Sequence, residues 1–464
     1  MSEAPLLSSL TALAARPGVS RFHMPGHKGH PCGSLFDSVF PIDYTELPLT
    51  GNLYDSDGPI ARAEEEVARW YGMDGCFFLT CGATQGIKAA LQFYCPSGGS
   101  VVLDRNCHKS VIDGCALLDL HPCYVCPDFS PATGVTGDIS PDELTCQLRR
   151  SGASAAVVTS PTYYGHCLNI AALADAAHAC GAALIVDSAH GAHLRACGCA
   201  DPALEGADAI IFSAHKTLCA LGQGAYLLFR GLDNMQCRAL RAATALFGTT
   251  SPSYAVMASL DWARACMERG NGLWQSTAER ALELRRRIEL QTPFSCLHGG
   301  DPCRLTVRTD IAGLSGFDAA KYLFAMGIEP EMQDSGRVVF ILTPQDTRDD
   351  WSRLENALHS LACHTASGVL QPPLCLPPLP PAPLSPRQAL TAPKERRPLC
   401  ECVGAVAGEN LAPYPPGVAV VVQGETLTKF CIEYLCKMGY NEDTYIQVIS
   451  SAAVPPTLKG GLEL

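Results

Sequence analysis

Lys216 closes the tetrapeptide Ser213-Ala214-His215-Lys216, directly after the apolar run Ala209–Phe212. A lysine at the end of a core strand is partly desolvated. Desolvation lowers an amine's pKa, and a neutral amine can form a Schiff base with an aldehyde. Ser213 and His215 beside it could donate to a phosphate. Upstream, Asp187 ends the run Ala183-Leu184-Ile185-Val186 and opens Ser188-Ala189-His190-Gly191-Ala192-His193. A carboxylate at the carboxyl end of a buried parallel strand points into the crevice where open α/β sheets bind ligands. There it could keep a heteroaromatic nitrogen protonated. Thr80-Cys81-Gly82-Ala83-Thr84-Gln85-Gly86 sits between a strand and a helix, where small residues let backbone amides approach an anion at the helix N-terminus. It is not a nucleotide P-loop, because the lysine after glycine is missing. His108, in Arg105-Asn106-Cys107-His108-Lys109-Ser110, could stack on a flat ring. Each feature has a plainer reading: a surface lysine, a capping aspartate, a junction capped by Thr84, a loop histidine. Ser-x-His-Lys alone is a weak signal.

The elements that must position these residues alternate. Strands are expected over Cys76–Thr80, Ser100–Leu103, Ala155–Thr159, Ala183–Asp187, Ala209–Ser213 and Gly224–Phe229. Helices are expected over Ala61–Tyr71, Thr84–Tyr94, Lys109–Leu118, Pro141–Arg149 and Ile170–Cys180. Strands apolar throughout, alternating with helices, predict a mainly parallel sheet covered on both faces. The acidic run Glu64-Glu65-Glu66 reads as a solvated helix face. Residues 253–291 read as long helices and 300–365 as a second α/β region. The proline-dense 371–386 reads as an extended linker, and 387–464 as a compact C-terminal segment.

With 464 residues, 47% hydrophobic and 17% charged, the chain has the composition of a globular protein. Its net charge of −12 argues against a nucleic-acid partner, since a phosphate-backbone binder presents a basic face. No apolar run approaches the ~18 residues of a membrane helix, and no basic stretch precedes the first apolar patch. The 24 cysteines fit a reducing cytosol with mostly free thiols, many acting as small buried hydrophobes. Cys123-Tyr124-Val125-Cys126 is a CxxC without a second matched pair, so no metal site is expected.

Phosphate turn, stacking ring, acid and lysine fall in the order found in fold-type I pyridoxal-phosphate enzymes, which this sequence resembles. It resembles one family more closely: the Orn/Lys/Arg decarboxylases of the bacterial biodegradative type, in the short form without an N-terminal wing domain. The matching segments are Phe22–Gly29 (FHMPGHKG), Asp43-Tyr44-Thr45-Glu46-Leu47, Arg105–Ser110, Asp187–His193 (DSAHGAH), Ser213–Leu218 (SAHKTL), Thr250-Ser251-Pro252-Ser253-Tyr254, and Pro413–Gly417 (PYPPG) with Gly424-Glu425. Gln423 stands where a proline is common. The resemblance implies an α/β fold with a mainly parallel seven-stranded sheet and helices on both faces, plus smaller α/β and C-terminal domains. In these terms 1–60 is an N-terminal segment contributing to the active site and 61–290 the large cofactor domain. Residues 291–370 are the small domain, 371–386 the linker and 387–464 the C-terminal domain.

The resemblance also implies roles. Lys216 would carry pyridoxal 5'-phosphate, Asp187 would pair with its pyridine nitrogen, and His108 would stack on its ring. Gly82, Ala83, Thr84, Ser213 and His215 would bind its phosphate, and His190 would lie near its phenolic oxygen. Ser251 or Ser253 would reach the phosphate of a neighbouring subunit, in a homodimer or higher assembly with sites at the interface. Glu425 would face the distal cation of the substrate, with Asp43 or Glu46 as further candidates. His23, His27 and Lys28 would line the entrance or the partner's site. The implied reaction is decarboxylation of a basic L-amino acid, arginine or lysine before ornithine. Transamination or aldol-type cleavage is the alternative, with Arg304, Arg308 and Arg337 available to hold a carboxylate. A non-catalytic amino-acid or polyamine sensor is another, against which the joint presence of Lys216 and Asp187 argues.

Overall fold

The computed structural model describes residues 3–55, 57–199, 201–202, 205–364, 376–413 and 417–450. Nine strands come first in the chain: β1 (Gly75–Leu79), β2 (Ser100–Asp104), β3 (His121–Val125), the two-residue β4 (Phe129–Ser130) and β5 (Val135–Thr136), β6 (Ala155–Thr159), β7 (Ala183–Asp187), β8 (Ala209–Phe212) and β9 (Ala225–Phe229). Seven of them form one sheet in the order β1-β9-β8-β7-β6-β2-β3. β2 pairs in parallel with β3 and β6, and β7 with β8. β9 runs antiparallel to both β8 and β1. The link from β8 to β9, residues 213–224, holds no helix beyond the single turn Ala214–Thr217. A parallel return is usually made through a crossover helix that packs on the sheet; without one, the strand turns back on its neighbour. The parallel strands are buried almost throughout. β3 (HPCYV) is the exception, an edge strand whose His121 and Pro122 hide it from an apolar pattern; proline is tolerated at such an edge.

The chain divides into two compact units. The first comprises Met1–Tyr94, Ile170–His178 and Ala183–Ser276. Its helix Gly58–Tyr71 carries Pro59 in its first turn and ends at left-handed Gly72, an arrangement favoured at the two ends of a helix. The acidic run on this helix is not a uniformly solvated face. Glu64 is buried, accepting from the Phe78 amide at 2.8 Å and pairing with both terminal nitrogens of Arg241 at 3.0 and 2.7 Å. Its exposed neighbour Glu65 keeps the expected character. The expected long helices are Tyr254–Arg269 and Asn271–Gln291.

The second unit comprises Cys95–Asn169, Ala179–Ala182 and Thr277–Leu464. It contains the antiparallel sheet of β10 (Ser295–Cys296), β11 (Arg304–Arg308), β12 (Met332–Gln333) and β13 (Arg337–Ile341), in the order β10-β11-β13-β12. Leu305, Val307, Val338 and Phe340 pack there with Leu354 and Leu358 of the helix Arg348–Ala362. Farther on, β14 (Lys394–Pro398) and β15 (Tyr445–Ile449) form an antiparallel pair over a core of Leu399, Val421, Leu427, Leu435 and Val448. Of the proline-rich stretch, 371–375 lie outside the described residues, and 376–385 carry no helix or strand. Of Pro413–Gly417, residues 414–416 lie outside the described residues.

Candidate active site

In the first unit, β7 delivers Asp187 and the turn after it delivers His190. The turn is closed by a hydrogen bond from the Gly191 amide to the Ser188 carbonyl (2.8 Å). The Asp187 carboxylate is buried and accepts from the Ala189 amide at 3.2 Å. Burial pushes its pKa up, and the charge of Lys216 pulls it back. β8 ends at Phe212, and the helical turn that follows carries Lys216. Its Nζ lies 2.9 Å from Nε2 of the buried His190. The parallel pairing of β7 with β8 places Asp187 opposite Ile211, so the acid and the lysine turn leave the same end of neighbouring strands.

The other expected phosphate ligands lie in this unit too. Gly82 adopts a left-handed conformation (φ 76°), and its amide is bonded to the Gln223 carbonyl at 2.9 Å. The helix begins at Ala83, so Thr84 stands in its first turn instead of capping it. Ser213 is buried at the head of the Lys216 turn and makes no side-chain cap bond. His215 Nδ1 lies 2.9 Å from the Gly224 carbonyl, which fixes that nitrogen as the donor. Sequence reasoning gave no role to three buried hydroxyls that lie within these motifs, Thr80, Ser188 and Thr217. None has a hydrogen-bond partner among the described residues. An amine, a buried carboxylate, a helix N-terminus behind a glycine turn and unsatisfied hydroxyls form a donor set that fits an aldehyde-bearing aromatic phosphate.

Ser253 caps the helix Tyr254–Arg269 by accepting from the Val256 amide at 3.3 Å, and Ser251 is exposed. In the N-terminal segment His27 stacks on Phe40 (4.3 Å between centroids). Its Nδ1 accepts from the Gly29 amide at 3.0 Å, so Nε2 is the donor to Asp43 at 3.2 Å. Lys28 donates to the His23 carbonyl at 2.6 Å, and Thr45 to Glu46 at 2.6 Å.

In the second unit, β2 leads into the His108 turn. The Asp104 carboxylate braces this turn, accepting from the amides of Asn106 (2.7 Å) and Thr159 (3.3 Å). His108 is half-buried and heads the helix Lys109–Leu118; its Nδ1 accepts from the Ser110 amide at 3.2 Å and meets the Ser110 hydroxyl at 2.8 Å. Glu425 is 2% exposed, and its two oxygens face Arg105 at 2.7 and 2.8 Å. The Val422 amide adds a third bond at 2.7 Å. The carboxylate expected to meet a substrate cation is thus held by a cation of the chain itself. Burial works against the Arg105 charge, but the hydrogen bonds and charge of Glu425 outweigh it and hold the guanidinium above its usual pKa. No local signal links residues 320 apart in sequence.

A mainly parallel seven-stranded sheet with a lysine one strand from a buried aspartate is the fold-type I architecture of pyridoxal-phosphate enzymes. Residues 4–298 match the major domain of the Orn/Lys/Arg decarboxylases, and residues 379–444 match their C-terminal domain. The chain belongs to this family and is an amino acid decarboxylase of the pyridoxal-phosphate type. It is 32% identical over 466 residues to the uncharacterized protein YaaO of Bacillus subtilis, covering 94% of each chain. It is 28% identical over 463 residues to an arginine decarboxylase of the same organism, covering 94% of this chain and 93% of the relative. The lysine decarboxylase LdcF of Francisella novicida has the same fold, with a TM-score of 0.81 at 22% identity over 97% of this chain and 81% of that one. Among the described residues no helix is long and apolar enough to cross a membrane.

Proposed function

We propose that the chain removes the α-carboxylate of a basic L-amino acid, arginine or lysine before ornithine, releasing carbon dioxide and the corresponding amine. The observation that carries this reading is the Lys216–His190 contact at 2.9 Å beside buried Asp187. Lys216 would hold pyridoxal 5'-phosphate through its amine, with His190 Nε2 placed to accept that amine's proton. Asp187 would pair with the pyridine nitrogen, and His108 would stack on the ring. Gly82, Ala83, Thr84, Ser213 and His215 would hold the phosphate. The cofactor, when bound, supplies the electron-accepting ring that takes up the electrons left by departing carbon dioxide. The protein orients the bond to be broken and excludes competing reactions.

With Glu425 committed to Arg105, Asp43 and Glu46 are the carboxylates left in the proposed set for the distal cation. Ser251, Ser253, His23, His27 and Lys28 would serve a site shared with a second copy. Phe22 and Leu35, 93% and 97% exposed in the same N-terminal segment, support an assembly of at least two chains. A cytoplasmic setting agrees with the cysteines, which are free thiols throughout the described residues.

Incubation of the reconstituted protein with arginine, lysine and ornithine tests the reading. Carbon dioxide with agmatine, cadaverine or putrescine supports it; a keto acid would point to transamination instead. A visible absorbance band on reconstitution, lost in Lys216→Ala, is expected. No band and no carbon dioxide from any of the three would overturn the proposal.

A further inference from the structure

We propose that residues 410–413 and 417–425 of the C-terminal part are the positioning clamp of the His108 turn, and that Glu425 acts through Arg105 instead of on the substrate. This rests on the reading that His108 faces the cofactor. Five ties join the segment to that turn and its helix. Arg105 forks onto both oxygens of Glu425 and donates to the Val420 carbonyl at 3.0 Å, its guanidinium lying 4.7 Å from the Tyr124 ring. The backbone of His108 bridges to Val418, and the Lys109 amide donates to the Gly417 carbonyl at 3.0 Å. Asn410 donates to Asp113, on the helix that His108 heads, at 2.9 Å. The Asn410 side chain in turn accepts from the Gln423 amide at 3.0 Å.

The last bond explains a departure noted in the sequence. A proline at 423 has no amide hydrogen and could not make it. In this chain Gln423 closes a path from the segment back to the helix. A planar fork on a buried carboxylate fixes orientation as well as distance. A substrate cation reaching Glu425 would have to displace Arg105 and leave it a buried, uncompensated charge. Glu425 is therefore better placed to hold Arg105, three residues before His108, than to select a head group.

The test uses the full chain with Glu425→Gln, Arg105→Lys and Asn410→Ala. Three quantities are read at a temperature where each variant is folded: amide hydrogen exchange across 105–111, cofactor affinity by titrating pyridoxal phosphate into apo-protein, and kcat and KM for arginine and lysine. We expect Glu425→Gln and Arg105→Lys to speed exchange across 105–111 and to weaken cofactor binding on the order of 10- to 100-fold, as misplacement of a positioned group does. The ratio of KM values for the two amino acids should stay that of the wild type. A changed ratio with unchanged exchange would assign Glu425 to the substrate and overturn the clamp. Faster exchange with wild-type cofactor affinity and kcat would make the ties merely structural and overturn it as well. If Glu425→Gln does not fold, Asn410→Ala, which removes the bonds to Asp113 and to the Gln423 amide and leaves the Arg105–Glu425 fork in place, answers the same questions. A wild-type protein that binds no pyridoxal phosphate would sink the cofactor reading separately, while exchange would still show whether Arg105 holds the turn.

Discussion

Nζ of Lys216 and Nε2 of His190 lie 2.9 Å apart, although the two residues belong to turns that follow different strands, β8 and β7. The imidazole orients the amine and can accept its proton. Replacing His190 with leucine removes the partner and keeps the bulk. The visible band after mixing apo-protein with pyridoxal phosphate should then appear on the order of 10- to 100-fold more slowly, in line with the usual worth of a positioned acid–base group. A rate equal to that of the wild type would show that the contact has no part in loading the amine.

Glu64 and Arg241 form a buried pair, and Arg241 also donates to the Leu53 carbonyl at 2.7 Å and lies over the Phe77 ring. Arg241→Leu leaves a carboxylate without its cation in the core and should cost about 3–5 kcal/mol of unfolding free energy. The double variant Glu64→Leu/Arg241→Leu should recover most of that loss, because no unpaired charge remains. Denaturant unfolding of the single and double variants checks both figures.

Asp187 gives a pH dependence of defined sign. Burial raises its pKa in the folded protein and Lys216 only partly opposes this, so the native state keeps the proton to higher pH than the unfolded chain does. The stabilising contribution of the group is complete below the ordinary aspartate value of about 3.9 and is lost as the pH rises through the raised one. Asp187→Asn cannot ionise and escapes that loss. The stability of the cofactor-free variant relative to wild type should therefore increase as the pH rises from about 4. Urea unfolding at a series of pH values would refute this if the difference were flat.

The cysteines should divide by burial. Burial pushes the thiols of Cys95 and Cys296 up to about 12, so about one in ten thousand is a thiolate at pH 8. Cys32, Cys146 and Cys363 are exposed. Iodoacetamide at pH 8 followed by peptide mass spectrometry should label the exposed three and spare the buried two in the native state. Equal labelling of both sets in native protein would contradict the packing described.

Much of the architecture is local and was therefore readable from the chain. Apolar strand cores, helix caps and turn glycines act over a few residues, and the expected Lys109–Leu118, Ala155–Thr159 and Ala183–Asp187 coincide with the folded elements. Expected ends differ by one to three residues elsewhere, as at Gly58–Tyr71 and Pro141–Ser151. β3 escaped notice because an edge strand carries a weak apolar pattern.

What the residues alone determined is the chemical inventory: a lysine, an aspartate and two histidines placed after strands of an alternating α/β chain, in the order found in fold-type I pyridoxal-phosphate enzymes, with motifs such as Phe22–Gly29 and Ser213–Leu218 that resemble one decarboxylase family. What only the tertiary structure decided is which side chains meet. Glu64 looked like part of a solvated run until Arg241 was found against it, and Glu425 looked free until Arg105 was found on it. Sequence fixes charge and spacing, but a carboxylate's role depends on the cation that folding brings to it, and such cations arrive from hundreds of residues away.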